Sequence, residues 1–186
     1  MNDKRRVVIT GIGVIASNGI GKDAFWEAIK GGKSGISRIT SFDPSAFATH
    51  FAGEIRNFTP EEFVLKKNLR RMDRTSQLAV AAAKMAVRDA KLDPGSNGSR
   101  QRTGVIIGTA MAGHGYIMKH YEEFLQTGPS RVSPFIALAS FPDACASQVS
   151  LELGVTGPSF SIATACSSAS DAIGYAWDAI RSNNVD

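Results

Sequence analysis

Three apolar runs, separated by stretches with helical spacing, organise this chain. Arg6–Ile12 is apolar on both faces and rich in β-branched residues, which predicts a buried central strand. Thr103–Thr109 predicts a second strand and Phe160–Ala165 a third. Lys22–Lys30 has helical spacing, with Phe25, Trp26 and Ile29 on one side and Gly31-Gly32 as its stop. Thr59-Pro60-Glu61-Glu62 opens a further helix with a capping hydroxyl, a proline in the first turn and two acids. Asp73 or Thr75 begins a long alanine-rich helix through Ala90, whose small side chains predict an interior position. Tyr116–Leu125 is helical, and a helix starting at Pro142 runs to Leu153, where Gly154 ends it. Ser167–Arg181 is the last helix, with Ile173, Ala176, Trp177 and Ile180 expected on its buried side. Ser34–Phe58 reads as irregular around an Asp43-Pro44 turn, and Asp93–Gly98 as a surface loop. Pro129–Ala139 is loop-like yet apolar, so something must cover it, either another subunit or a substrate channel.

This alternation is an α/β order with a largely buried sheet. Three strands make a narrow sheet, and Asn183–Asp186 leads onward to where a further strand should follow, so the chain reads as part of a larger unit. An unpaired sheet edge and the apolar Pro134-Phe135-Ile136 predict that residues 1–186 do not fold alone as a stable monomer.

Composition narrows this picture. The 186 residues, 43% apolar and 20% charged, suit one soluble globular domain with a sizeable core. Two cysteines, Cys145 and Cys166, are too few for a disulfide framework and lack metal-ligand spacing; a reducing compartment, with cytoplasm as the default, follows. Lys4, Arg5 and Arg6 before an apolar run imitate a signal peptide, but Gly11, Gly13 and the β-branched residues favour a strand. No run approaches membrane-spanning length. The net charge is +4, with a concentration at Lys66, Lys67, Arg70, Arg71 and Arg74. That patch is a solvated helix face or a surface for nucleic acid or an acidic protein.

Candidate chemistry centres on Cys166. The run Gly157–Ala165 drives this cysteine onto the start of a helix, where free N–H groups and the helix dipole favour a thiolate and where backbone N–H groups can hold an oxyanion. That geometry suits acyl transfer to a thiol; the alternative is a small buried hydrophobe. Cys145 lies mid-helix and reads as a packing residue. Gly11-x-Gly13-x-x-Ala16 matches the loose dinucleotide fingerprint but lacks the second strand and acid that the motif needs, so a tight turn is the better reading. His50, His114 and His120 read as surface residues, although the Ala112–Gly115 loop would let His114 approach a pocket. Helpers for Cys166 are therefore expected in sequence outside this chain or in another chain.

The segment Gly157-Pro158-Ser159-Phe160-Ser161-Ile162-Ala163-Thr164-Ala165-Cys166-Ser167-Ser168 resembles the active-site segment of the β-ketoacyl-[acyl-carrier-protein] synthases, most of all the bacterial type II elongation enzymes of the synthase II kind. Arg5–Gly13, Gly35-Ile36, Phe42-Asp43, Phe51-Ala52-Gly53, Arg70–Asp73 and Ser133-Pro134-Phe135 match in order, so the resemblance runs from Lys4 to Asp186. It implies an α/β thiolase-like fold of α-β-α-β-α layers, with this chain as an incomplete N-terminal half that lacks its last strands and the whole C-terminal half. The second half of the family supplies two histidines, a lysine and a glycine-rich loop with a gating phenylalanine.

The implied reaction is decarboxylative Claisen condensation in fatty-acid synthesis. Cys166 takes an acyl group from the phosphopantetheine arm of acyl carrier protein, and the carbanion from malonyl carrier protein then attacks it. No cofactor is bound by the enzyme itself, because the arm belongs to the carrier. Met111 matches a residue that gates the acyl pocket near a dimer interface, and ordinary core filling is its other reading. Lys67, Arg70 and Arg71 match basic residues that meet the acidic carrier protein, and no aromatic residues interleave with them as a nucleic-acid surface would want. The implied partners are acyl carrier protein, the C-terminal half and a second copy in a homodimer, with neither nucleic acid nor membrane. Ser168-Ala169-Ser170 stands where the family often has glycine, Asp143–Ser147 replaces a segment commonly containing asparagine, and Asp171 lies on the nucleophile helix. These departures leave open a ketosynthase of a specialised polyketide or polyene pathway, a chain-length partner subunit, or a thiolase-like enzyme using coenzyme A.

Overall fold

Hydrogen bonding and close glycine approaches sort the predicted elements into those that form and those that do not. The computed structural model describes residues 5–186, so Lys4 lies outside the described residues. Two two-residue hairpin pairs come first: β1 (Ile15–Ala16) with β2 (Gly19–Ile20), and β3 (Ser37–Arg38) with β4 (Phe51–Ala52), both antiparallel. Between them lies α1 (Lys22–Lys30), closed at Gly31 as expected. A 3-10 turn at Pro60–Glu62 and the short α2 (Lys66–Leu69) follow. The long α3 (Arg74–Ala90) starts at Asp73, whose carboxylate accepts from the N–H groups of Thr75 and Ser76. Next come β5 (Val105–Gly108), α4 (His114–Thr127), the single-turn α5 (Ile136–Ala139), α6 (Ala144–Leu153), β6 (Ser159–Ile162) and α7 (Ser168–Arg181).

The Cys166 end of the fold is built on one parallel pair. β5 and β6 run side by side in register from Val105 with Ser159 to Gly108 with Ile162. Helices α3 and α6 pack on each other, and the core gathers Val64, Met72, Val80, Val105, Ala146, Val149 and Val155. Helix α7 crosses β5 where Gly108 leaves space: a Cβ there would lie 2.3 Å from the Ser168 carbonyl oxygen.

Several expectations need correction. Arg6–Ile12 forms no strand, because no neighbour offers it a ladder among the described residues. Ile9 is 82% exposed, while Gly11 and Gly13 lie against the α3 backbone at Ala86 and Ala82. Thr59 makes no side-chain cap, and only a 3-10 turn follows it. Ser34–Phe58 contains the β3–β4 pair, too short to show a periodic pattern. Pro129–Ala139 contains a 3-10 turn and α5 rather than loop alone. On α1 the buried residue is Ala28, with Trp26 and Ile29 exposed. On α7 the buried residues are Ser168 and Ala172; Ile173 is 70% exposed and Trp177 is exposed too. Small residues face the strands there because the helix sits too close for larger ones. No helix among the described residues is long and apolar enough to cross a membrane.

Candidate active site

The two cysteines have opposite surroundings. Cys145 is fully buried on α6, its sulfur 3.5 Å from the Ser76 hydroxyl, and burial pushes its thiol pKa up; it packs, as expected. Cys166 is exposed. It sits in a 3-10 turn, Ala165–Ser167, between the end of β6 and the start of α7, rather than in the helix itself. The preceding Ala165 has φ 55°, a left-handed conformation that is costly for a residue with a Cβ. A sharp strand-to-helix turn of this kind presents a nucleophile outward, clear of the backbone. The Cys166 N–H has no acceptor among the described residues, so it is available to an oxyanion.

Side-chain hydrogen bonds hold this turn. The Thr164 N–H donates to Ser168 Oγ at 2.9 Å, and the Ser168 hydroxyl donates to the Ala165 carbonyl at 2.7 Å. The Thr164 hydroxyl donates to Asp171 Oδ2, and Ser167 Oγ lies 3.2 Å from the same oxygen. From β6, the Ser161 N–H reaches Asp143 Oδ1 at 2.9 Å, which ties the strand to the start of α6.

Met111 comes off the end of β5 as Cys166 comes off the end of β6, so both lie at the carboxyl end of the parallel pair. That is the end at which open α/β sheets bind ligands. Met111 is 64% exposed, which removes the core-filler reading within this chain. Its loop is pinned by Asp73, whose Oδ2 accepts the Gly113 N–H at 3.2 Å. His114 is the first residue of α4 and exposed, not part of a free loop. His120 is buried rather than on the surface, with Nδ1 2.6 Å from Glu123 Oε2 and its ring edge-on to Tyr116. His50 is half-buried in β4's approach.

Lys67, Arg70 and Arg71 are exposed on α2 and the turn after it, and none of them forms an ion pair among the described residues. The Arg71 guanidinium stacks over the Phe135 ring at 5.4 Å and lines an open groove of about 600 Å³ with Leu138, Phe141 and Leu151. Asn68 on α2 donates to Glu152 Oε1 at 2.7 Å, and Lys84 bridges Glu152 Oε2 at 2.6 Å and the Phe63 carbonyl at 2.7 Å, so the basic segment is held to α3 and α6. The structure thus links the basic segment to the Met111 loop through Asp73, and the Cys166 turn to β5 through Gly108. Sequence reasoning missed the left-handed Ala165 and the joint use of Thr164, Ser167 and Asp171. The spacing of Ser167 and Asp171, one helical turn apart, was the available signal.

Comparison with known proteins gives the family and the fold. The family model described as "Beta-ketoacyl synthase, N-terminal domain" matches residues 4–186. The chain is 38% identical to the 3-oxoacyl-[acyl-carrier-protein] synthase 2 of Staphylococcus aureus (strain COL) over 186 residues, covering 100% of this chain and 45% of that protein. It is 37% identical to the protein of the same name from Coxiella burnetii, covering 99% of this chain and 44% of that one. Among solved structures, the ishigamide ketosynthase/chain length factor superposes with TM-score 0.85 at 32% identity, covering 98% of this chain and 46% of that one. The chain therefore spans under half the length of the relatives it matches, and it shares the α/β thiolase-like fold of the ketosynthases.

Proposed function

The chain belongs to the β-ketoacyl synthase family, whose N-terminal domain it matches over residues 4–186, and from that premise we propose that it carries the acyl-accepting nucleophile of a condensing enzyme of fatty-acid synthesis. The observation that carries this reading is the exposed Cys166 on a left-handed turn between a parallel strand and a helix. The Cys166 thiolate attacks the thioester carbonyl on the phosphopantetheine arm of acyl carrier protein. The tetrahedral oxyanion meets the Cys166 N–H, and collapse expels the arm's thiolate and leaves an acyl-cysteine. Malonyl carrier protein then loses carbon dioxide, its enolate carbon attacks the acyl carbonyl, and the Cys166 thiolate leaves. The product is a β-ketoacyl carrier protein two carbons longer. Two histidines and a lysine from a C-terminal half would serve decarboxylation and the enolate.

In this reading Met111 gates the acyl pocket, Lys67, Arg70 and Arg71 receive the acidic carrier protein, and the enzyme is a homodimer. The test is to incubate the full-length protein with acyl carrier protein substrates and weigh it intact. A thioester on Cys166 supports the reading, whereas folded protein with no adduct refutes it. A coenzyme A thioester in place of the carrier substrate separates a thiolase-like enzyme from a carrier-dependent one.

The likeness to the ishigamide ketosynthase/chain length factor favours a second reading, a ketosynthase of a specialised polyketide or polyene pathway or its chain-length partner. The presence of Cys166 speaks for the catalytic member of such a pair. Two histidines in the C-terminal sequence would exclude the non-catalytic subunit, and product chain length would separate the pathways.

A further inference from the structure

Thr164, Ala165, Cys166 and Ser167 form one short arch, and both hydroxyl side chains at its feet converge on a single carboxylate oxygen, Asp171 Oδ2. Ser167 Oγ also lies 2.8 Å from the Thr164 carbonyl oxygen and 3.0 Å from Thr164 Oγ1. Two hydroxyl protons must serve these contacts. The Thr164 proton goes to Asp171 and the Ser167 proton to the Thr164 carbonyl or to Asp171. Only a group that brings no proton of its own to that oxygen satisfies both donors. The arch contains the left-handed Ala165, a conformation that costs about 1–3 kcal/mol and persists only where its surroundings enforce it. Ser168 holds the arch from inside, through the Thr164 N–H and the Ala165 carbonyl. Asp171, one turn along α7, holds it from outside, and its charge suits the first turn of a helix.

We infer that Asp171 is a positioning residue for Cys166: its carboxylate oxygen clamps Thr164 and Ser167, keeps Ala165 left-handed, and so fixes the thiol and the Cys166 N–H relative to the incoming acyl carbonyl. The acylation geometry rests on the reading of Cys166 as the acyl acceptor, but the clamp itself is a property of the turn. A misplacement of the reacting atoms by an ångström is enough to lower a rate about a hundredfold. The clamp requires an acceptor oxygen at residue 171 and does not require a charge.

The test uses Asp171→Ala, Asp171→Asn and Thr164→Val in the full-length protein. Three quantities are measured: the rate of thioester formation on Cys166, the rate of Cys166 alkylation by iodoacetamide across pH up to its alkaline plateau, and Tm. Asp171→Ala should slow thioester formation at least tenfold at saturating carrier substrate, with KM and Tm little changed. Asp171→Asn, which keeps a carbonyl oxygen at that place, should stay within threefold of wild type. Thr164→Val should show part of the loss, and adding Asp171→Ala to it should cost less than Asp171→Ala costs in the wild type, because only the Ser167 contact is then left to remove. Thr164→Val also carries the test if Asp171→Ala fails to fold, because it keeps the side-chain volume. The plateau alkylation rate, at which every Cys166 is ionised, should fall at least fivefold in Asp171→Ala. Unchanged alkylation in all three variants overturns the clamp. An Asn variant as slow as the Ala variant also overturns it, because charge rather than positioning would then be acting. If the wild type forms no thioester while alkylation still slows in Asp171→Ala, the acyl-transfer reading falls and the clamp stands.

Discussion

The Cys166 turn and the N-terminal segment through Phe58 are held in place by different means. At the turn, each unusual feature is held by a nearby partner: Ala165 by Ser168, Thr164 and Ser167 by Asp171, and α7 by the space above Gly108. In the N-terminal segment, Val8, Ile9, Ile12, Phe42, Phe47 and Phe51 are exposed, and the strands are two residues long. What fixes that segment is polar or close-packed: Asp89 accepts the Ile12 N–H and pairs with Lys22, and Gly11 and Gly13 lie on α3. An apolar pattern states a need for a partner, whereas a run of short polar side chains around a turn carries its partners with it.

The largest effect should come from Cys166→Ala in the full-length protein. Condensation should vanish, because no thioester can form, while Tm stays within a few degrees; full retained condensation would remove the turn from the mechanism. Next, Gly108→Ala and Gly13→Ala compare the two regions directly. An added Cβ would lie 2.3 Å from the Ser168 oxygen in one and 1.9 Å from the Ala82 oxygen in the other. Each should lower stability by about 1–3 kcal/mol, the usual range for overpacking. Thioester formation per folded molecule should drop only for Gly108→Ala; equal losses would mean that the regions are coupled.

Smaller effects are expected at Lys67, Arg70 and Arg71, which lie between the two regions. Reversing any one charge should raise KM for acyl carrier protein about two- to fivefold and leave a small pantetheine thioester unaffected, with the difference shrinking at high salt. Equal loss with both substrates would assign the segment to fold support.

The smallest effect is acid sensitivity in the N-terminal segment. Hydrogen bonds from Ser41 first, then the Arg56 guanidinium, hold the Glu54 carboxyl well below the usual carboxylate range. A folded-state pKa below the unfolded value stabilises the fold above about pH 4, and the contribution fades as pH falls further. Glu54→Gln should therefore lower Tm slightly at pH 7, and the gap to wild type should begin to narrow only as pH falls below about 4. Thioester formation at pH 7 should not change.

What the sequence revealed follows the same division. Asp73 as the cap of α3, Gly31 and Gly154 as stops, and the turn at Cys166 all rest on neighbours a few residues away, whereas β5 and β6 showed only as apolar runs whose mutual pairing the sequence did not report. The run at residues 6–12 failed as a strand because a ladder needs a second chain segment, which no local pattern reports. The faces of α1 and α7 were misread because apolar size was taken as the signal of burial. At α7, close approach to β5 selects Ser168 and Ala172 instead. The Asp73 bond to Gly113 joins residues forty positions apart and had no trace in the sequence.

The parallel pairing of β5 with β6 has a consequence in time. Val105 meets Ser159 only after a loop of roughly fifty residues has closed, an entropic cost on the order of 3–4 kcal/mol. Antiparallel neighbours joined by a tight turn, such as β1 and β2, face almost none of it. On a growing polypeptide the β5–β6 ladder cannot begin until β6 has left the ribosome, and the arch that follows β6 has no floor until that ladder exists. The Cys166 sulfur is therefore organised only once β6 has paired, after the helices that precede it have had the opportunity to dock.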